Sequence, residues 1–205
     1  MLTFDITGMT DYADIPAAYG DNVTSTANGS FSYGMGNAFT PNITVDYATI
    51  SSAGGVVASN LEWWNLGYGD LQGVAFPVNN SSIAEITLTA AAGFQVRLNT
   101  FDLAGYPGAD HPNSQVRILD AGGGVLLDYS PVNVQGDANG PRHSTFSPAI
   151  TAQQLRIRFA YDDWNVAIDN VNFDEVTASA SPVPEPSTWL LSAAGLAGLA
   201  YRRRK

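Results

Sequence analysis

The sequence predicts an all-β fold, a two-sheet β-sandwich of jelly-roll type, followed by a short C-terminal transmembrane helix. Residues 1–176 contain many short segments in which apolar and polar side chains alternate, the pattern of half-buried strands. Turn-forming residues separate these segments, and the chain has 20 glycines. An uncharged, largely apolar run occurs at residues 187–201, next to the C terminus. Together these features favour a two-layer β domain with a membrane-seeking tail.

The clearest alternation is at residues 155–159, which read Leu-Arg-Ile-Arg-Phe. On a strand, the apolar side chains would face one side while Arg156 and Arg158 face the other. The glycine-rich residues 120–124 lie between two such segments and predict a hairpin loop. In all we predict ten strands, at residues 2–6, 42–50, 73–78, 84–90, 95–99, 115–120, 125–129, 143–146, 154–161 and 166–176.

The composition divides the chain into three parts. Residues 1–176 are predicted to form the β-sandwich domain. Residues 177–182, Thr-Ala-Ser-Ala-Ser-Pro, are small and predict a flexible linker. Residues 183–205 have the composition of a sorting signal, with prolines, an apolar run and a basic end.

Charge is distributed unevenly between these parts. Residues 1–182 hold 18 acidic residues, five arginines and no lysine, which gives a net charge of −13. A body this acidic repels phosphates, so we expect no binding to nucleic acid. It suits divalent cations or a polysaccharide matrix bridged by them, although an acidic surface can equally serve solubility alone. The chain has no cysteine, which excludes disulfides, zinc thiolates and thiol catalysis.

The tail combines three physical devices. Two prolines hold its start extended and accessible to a processing enzyme. The uncharged run at residues 187–201 would form a helix of about 22 Å, and the tryptophan near its start suits the membrane interface. The basic end should remain in the cytoplasm, which places the body outside. The residues concerned are Val183, Pro184, Glu185, Pro186, Trp189, Arg202, Arg203 and Arg204.

This tail resembles the PEP-CTERM sorting signal of Gram-negative, exopolysaccharide-producing bacteria. The resemblance covers residues 183–205 and implies recognition by an exosortase, a membrane-embedded cysteine protease or transpeptidase. Cleavage is then expected near residues 184–186. It implies a precursor anchored in the membrane through residues 187–201, and afterwards a protein at the cell surface or outside the cell. Such proteins begin with a secretory signal peptide, which residues 1–6 do not resemble, so we expect further residues upstream of Met1.

The two ends of the predicted sandwich carry a second resemblance. Residues 167–171, Ala-Ile-Asp-Asn-Val, resemble the closing strand of jelly-roll carbohydrate-binding modules, and residues 2–5 resemble their opening strand. The resemblance implies that these two strands are adjacent and that Asp5 and Asp169 bind a structural calcium ion. Carboxylates on neighbouring strands can supply the oxygen ligands that calcium needs. A cap or a salt bridge within the sheet is the alternative role for Asp169.

Aromatic residues are the candidates for ligand binding, because exposed rings stack on sugar faces while nearby Asn and Asp groups hold hydroxyls. Neighbouring side chains on a strand alternate, so we expect either Trp63 or Trp64 to lie in the core. The candidates are Trp63, Trp64, Tyr68, Tyr161 and Trp164.

We therefore expect an exported, surface-sorted and non-catalytic protein that binds to, or helps to build, an exopolysaccharide or biofilm matrix. One alternative is a secreted hydrolase acting on glycans, which would need two carboxylates about 5–10 Å apart in a groove. Another is a tail-anchored protein whose body faces the cytoplasm. Catalysis has little support in the sequence, since it has two histidines and no Gly-x-Ser-x-Gly motif.

Overall fold

A computed structural model describes residues 1–28, 31–34, 39–161 and 165–178. The described residues form two main sheets, as predicted. Within them, no helix is long and apolar enough to cross a membrane. The predicted helix at residues 187–201 and the tail residues lie outside the described part of the chain.

The first main sheet has seven strands. Its order is β1 (Ala13–Asp14), β6 (Glu62–Trp64), β7 (Val74–Phe76), β17 (Val166–Thr177), β9 (Phe94–Gly105) and β14 (Ser144–Phe146), with β15 (Ile150–Ala152) also pairing with β9.

The second main sheet has six strands, in the order β12 (Val125–Asp128), β11 (Arg117–Leu119), β16 (Gln154–Phe159), β8 (Ser82–Ala90), β4 (Ile43–Ser51) and β5 (Val56–Ala58). Two small ribbons accompany the sheets, β2 (Ala27–Asn28) with β3 (Phe31–Ser32) and β10 (His111–Ser114) with β13 (Val132–Val134). The chain crosses repeatedly between the main sheets, for example from β7 to β8 and from β16 to β17. Such crossings are typical of a jelly-roll sandwich.

The core lies between the inner faces of the two sheets. Leu155, Ile157 and Phe159 are completely buried, as the alternation of β16 predicts. On the outer face of the same strand, the Arg158 Nε donates to a Glu85 carboxylate oxygen at 2.6 Å. The predicted loop at residues 120–124 does connect paired strands β11 and β12. Nine of the ten predicted segments overlap strands in this way.

The prediction of a strand at residues 2–6 is wrong. Only Leu2 pairs with the last strand, through an isolated bridge to Val171. Phe4 has a φ of 50°, which a strand does not allow. The segment is nevertheless adjacent to the last strand, as the second resemblance implied.

Side chains from distant parts of the chain hold this opening segment. The buried Phe4 amide donates to the Tyr19 hydroxyl at 2.9 Å. The Trp63 Nε1 donates to the Phe4 carbonyl at 2.7 Å. These bonds replace the sheet ladder that the left-handed backbone interrupts.

Replacing Tyr19 by Phe should therefore destabilise the fold. The substitution keeps the ring but leaves the buried Phe4 amide without its acceptor, which should cost about 1–3 kcal/mol. Chemical denaturation monitored by tryptophan fluorescence measures the effect. Tyr12→Phe is the control, because the Tyr12 side chain is 56 % exposed and its hydroxyl should change stability by less than about 0.5 kcal/mol. Equal stabilities for the two variants would contradict the role given to the Tyr19 hydroxyl.

Candidate functional site

The outer face of the seven-stranded sheet carries the candidate site. Strand β6 sends Trp63 into the core, where it is 7 % exposed, and turns Trp64 to the outer face. This alternation separates the two tryptophans, as the sequence led us to expect. Trp64 is therefore available to a surface site, whereas Trp63 anchors the opening segment.

A shallow depression surrounds Trp64, and we call it the aromatic pocket. Its volume is about 70 Å³, well below the several hundred Å³ of sites that enclose a ligand. Such a depression can receive one face or edge of a ring. Its lining residues are Tyr12, Trp64, Tyr68, Phe76, Tyr106 and Asn165.

The rings of the aromatic pocket hold each other in place. Tyr12 meets Trp64 edge-on, with ring centroids 4.8 Å apart, and Tyr106 meets Trp64 at 5.9 Å. Tyr68 packs against Tyr106 at 5.1 Å. The indole Nε1 of Trp64 donates to the Leu66 carbonyl at 2.5 Å, which fixes the plane of the ring. The pocket is thus a rigid aromatic surface with polar groups at its margin.

The loop of residues 65–73 builds one wall of the pocket. It begins and ends at the same place, because the Gly73 amide donates to the Asn65 carbonyl at 3.0 Å. Tyr68 and Leu71 of this loop form a small buried cluster with Ala104 and Ala167 on the outer face of the sheet. The two alanines leave room for the loop to lie on the strands.

Two glycines allow this close approach. A Cβ at Gly67 would lie 2.7 Å from the Tyr106 ring, and one at Gly69 would lie 1.7 Å from the Arg142 carbonyl oxygen. Both residues have positive φ, 106° and 56°. Glycine is therefore required at both positions for the loop to take this path.

A polar cleft lies on the other side of the same loop, and we call it the Arg142 cleft. It has a volume of about 360 Å³. The Arg142 Nη2 donates to the Gly69 carbonyl at 3.2 Å, and the His143 Nδ1 lies 2.8 Å from an Asp70 carboxylate oxygen. The lining residues are Leu66, Gly67, Gly69, Asp70, Leu71, Gln72 and Arg142.

The charges around Asp70 affect one another. Partial desolvation favours the protonated acid, but the hydrogen bond with His143 and the positive charges of His143 and Arg142 outweigh it. The pKa of Asp70 is therefore lowered. Asp70 is an ionised acceptor beside a guanidinium group.

Asp169, a predicted calcium ligand, lies on the outer face opposite Asp102 of β9 and is only 5 % exposed. Burial is the main cause that raises its pKa, to about 8, and the charges of Asp5 and Asp102 add to it. The Asn170 amide, which donates to Asp169 at 2.6 Å, acts in the opposite direction. Asp5, the other predicted ligand, is thus near enough to Asp169 to repel its charge.

Asp102 has other partners. The Thr145 hydroxyl and the Asn170 amide side chain donate to its two carboxylate oxygens, at 2.6 and 3.0 Å. Among the described residues, no group of three or more His, Asp or Glu side chains surrounds a common metal position. A cation held by Asp5 and Asp169 would therefore need backbone carbonyls or water as its other ligands.

The remaining candidate residues occupy different places. Tyr161 follows β16 and lies under the Arg117 guanidinium, 5.2 Å from its ring centroid, so it does not line the aromatic pocket. Trp164 lies outside the described residues. The structure therefore brings together Trp64 and Tyr68, and adds Tyr12, Phe76, Tyr106 and Asn165, which the sequence did not indicate.

The first comparison with known proteins concerns the tail. Residues 182–205 match the family model of the PEP-CTERM protein-sorting motif. The chain carries a PEP-CTERM sorting motif. This confirms the resemblance of the tail to the PEP-CTERM sorting signal, and the PEP-CTERM motif indicates an exported protein that is sorted through its C terminus. No curated protein matches the chain in sequence.

Among solved structures, the body is similar to two mutants of a family 29 carbohydrate-binding module that were studied for ligand recognition. Both are 12 % identical, and the alignments cover 71 % and 70 % of this chain and 99 % of the module, with TM-scores of 0.30 and 0.29. The enzymatically active domain of tailspike protein 4 from bacteriophage CBA120 is 18 % identical over 66 % of this chain, with a TM-score of 0.29. This chain spans 19 % of the tailspike protein's length. The likeness in each case is one of fold alone.

The protonation of Asp169 should make stability depend on pH. Its pKa is raised to about 8 in the folded protein and is about 3.9 in an unfolded chain. Between these values the folded state holds a proton that the unfolded state has released, so stability falls as pH rises through this window. Asp169→Asn should remove that fall and stabilise the protein above pH 8, by an amount on the order of a few kcal/mol.

The measurement is the free energy of unfolding from pH 4 to pH 9 in a chelating buffer. Asp46→Asn is a matched control, because Asp46 is exposed on the outer face of the other sheet. A pH profile of Asp169→Asn that coincides with the wild-type profile would contradict the buried proton.

Proposed function

We propose that this chain is an exported, surface-sorted and non-catalytic β-sandwich protein that binds a glycan of the exopolysaccharide or biofilm matrix. The aromatic pocket is the observation that supports this proposal. The PEP-CTERM motif supports export and sorting to the cell surface.

The chemistry of the aromatic pocket suits a sugar. Pyranose rings have an apolar face of C–H groups and a rim of hydroxyls, and Trp64 with its neighbouring tyrosines offers a matching apolar surface. The Asn165 side chain and the tyrosine hydroxyls can exchange hydrogen bonds with the rim. Because the rings are already packed against one another, little side-chain freedom is lost on binding.

The lining of the pocket favours binding over hydrolysis. None of its described lining residues is an acid or a histidine, and a glycoside hydrolase needs two carboxyl groups across the scissile bond. In the neighbouring cleft, the carboxylate of Asp70 is hydrogen-bonded to His143. The described residues thus offer a surface that holds a ring without an acid and base on either side of it.

Sorting follows from the tail. We propose that an exosortase recognises Pro184-Glu185-Pro186 in a precursor that residues 187–201 hold in the membrane. The basic residues Arg202, Arg203 and Arg204 would keep the end of the chain in the cytoplasm. After cleavage the acidic body would be free to enter the matrix.

Trp64→Ala should abolish glycan binding while the main core between the sheets is unchanged, although the loss of the ring contacts with Tyr12 and Tyr106 should lower the free energy of unfolding. Affinity electrophoresis of the full chain through gels that contain polysaccharide from the native matrix measures retardation. We expect the wild type to be retarded and the Trp64→Ala variant to migrate without retardation. This difference corresponds to a loss of at least about tenfold in affinity. Phe39→Ala is the control, since Phe39 is 53 % exposed and does not line the aromatic pocket. Equal retardation of wild type and Trp64→Ala would contradict the assignment of the pocket.

Mass mapping of both termini of the native protein tests sorting. We expect a C terminus near Pro184–Pro186. Replacing Pro184 and Pro186 by Ala should leave the C terminus intact, because the extended handle is lost. An intact Lys205 together with Met1 as the start would favour the tail-anchored alternative with a cytoplasmic body.

We also propose that Asp5 and Asp169 bind a structural calcium ion. Their mutual repulsion supports this proposal, because a divalent cation between two carboxylates relieves it. Calcium should then raise the melting temperature of the wild type at pH 7.5, and Asp169→Asn should remove that gain. Asp46→Asn should retain it. A melting temperature that calcium does not change would refute the site.

A further inference from the structure

The Arg142 cleft contains a cation that forms no ion pair within 4.0 Å among the described residues, although its charge acts on the nearby Asp70 carboxylate. Among the described residues, each of the other four arginines of the body has a carboxylate oxygen within 4.0 Å, whereas Arg142 has none. Within the part of the chain that the structure describes, its guanidinium donates to the backbone carbonyl of Gly69 at 3.2 Å. Since a guanidinium group has five N–H donors, most of its donors remain free. In a body with a net charge of −13, an unpaired and exposed cation is an exception.

The position of this cation is as informative as its charge. Loop residues 66, 67 and 69–72 line the Arg142 cleft, and Tyr68 within the same loop lines the aromatic pocket. Gly69 is in contact with Arg142, and Gly67 is in contact with Tyr106 on the pocket side. The pocket and the cleft are therefore both bordered by one short loop. A ligand longer than one sugar ring that sits in the pocket can extend into the cleft.

The geometry of the guanidinium favours an anionic group over a hydroxyl. The bond to the Gly69 carbonyl fixes the orientation of the fork, and a planar carboxylate can accept two parallel hydrogen bonds from a guanidinium. Asp70 lies in the same cleft, but its carboxylate is engaged by His143. It can accept a hydrogen bond from a sugar hydroxyl beside the carboxylate.

We propose that the ligand of this surface is an acidic polysaccharide, with one sugar ring in the aromatic pocket and the carboxylate of a uronic acid unit at Arg142. This inference rests on the proposed glycan binding at the pocket and names the class of glycan. The acidic body repels a polyanion at long range, so the contact with Arg142 supplies the local attraction that selects it.

The test uses the full chain and two forms of one polymer. The probes are polygalacturonate and the same polymer after reduction of its carboxyl groups, which makes it neutral without changing the linkage. Binding is measured by calorimetry at fixed salt. We expect the wild type to bind the acidic form about tenfold more tightly, and Arg142→Gln to bind both forms equally.

Three variants make the outcomes separable. Arg117→Gln removes the same charge from the other main sheet. This variant should retain the preference for the acidic form, because Arg117 lies on β11 and is paired with Asp128. Arg142→Lys should retain part of the preference. Trp64→Ala should lose binding to both forms of the polymer, since the substitution removes the ring surface on which both forms depend.

The results have distinct meanings. Equal binding of both forms by the wild type, with Trp64→Ala inactive, would overturn the acidic class and leave glycan binding intact. Loss of the preference in Arg117→Gln as well as in Arg142→Gln would also overturn the role of Arg142, since total charge would then explain the effect. Binding that survives Trp64→Ala would refute the aromatic pocket as the binding site, and with it the placement of the uronic acid unit at Arg142.

Discussion

The pairing of β9 with β17 is the constraint on which the rest of the molecule depends. These two strands run side by side from Val166 opposite Gly105 to Thr177 opposite Phe94, in the middle of the seven-stranded sheet. Their inner faces bury residues such as Leu98, Leu103, Ile168 and Phe173 in the core. Their outer faces carry Ala104 and Ala167, on which the loop of residues 65–73 packs. The same ladder thus holds the sandwich together and provides the floor of the candidate site.

Alternation along the strands decides what each side chain can do. It sends Trp63 to the core and Trp64 to the surface, although both are tryptophans and are adjacent in the chain. It likewise separates the buried apolar residues of β16 from its outer arginines. The period of the side chains was enough to predict the two faces of β16 and that one tryptophan of the pair lies in the core, but not which of the two. The sorting tail was equally predictable, because its signal lies within consecutive residues.

Features that depend on contacts between distant residues could not be predicted. The opening segment alternates like a strand, but the left-handed backbone at Phe4 and its bonds to Tyr19 and Trp63 replace the ladder. The short strands β1 and β6 have too few residues to show a period, so the neighbours of Trp64 were not foreseen. Tyr12 and Tyr106 reach the pocket from segments 94 positions apart. An aromatic residue in a turn, as in Tyr106-Pro107-Gly108, was the one local sign of a surface role.

The closed shape of the loop at residues 65–73 has a consequence for how such a surface can diversify. Its two ends are joined by the hydrogen bond between Gly73 and Asn65, so its interior contributes nothing to the register of the strands that flank it. Changes at the exposed positions of that interior, such as Leu66 and Gln72, would alter recognition while the side chains buried between the sheets keep their packing. The sandwich can then stay the same while the loop changes, so that related proteins can acquire affinity for different polymers.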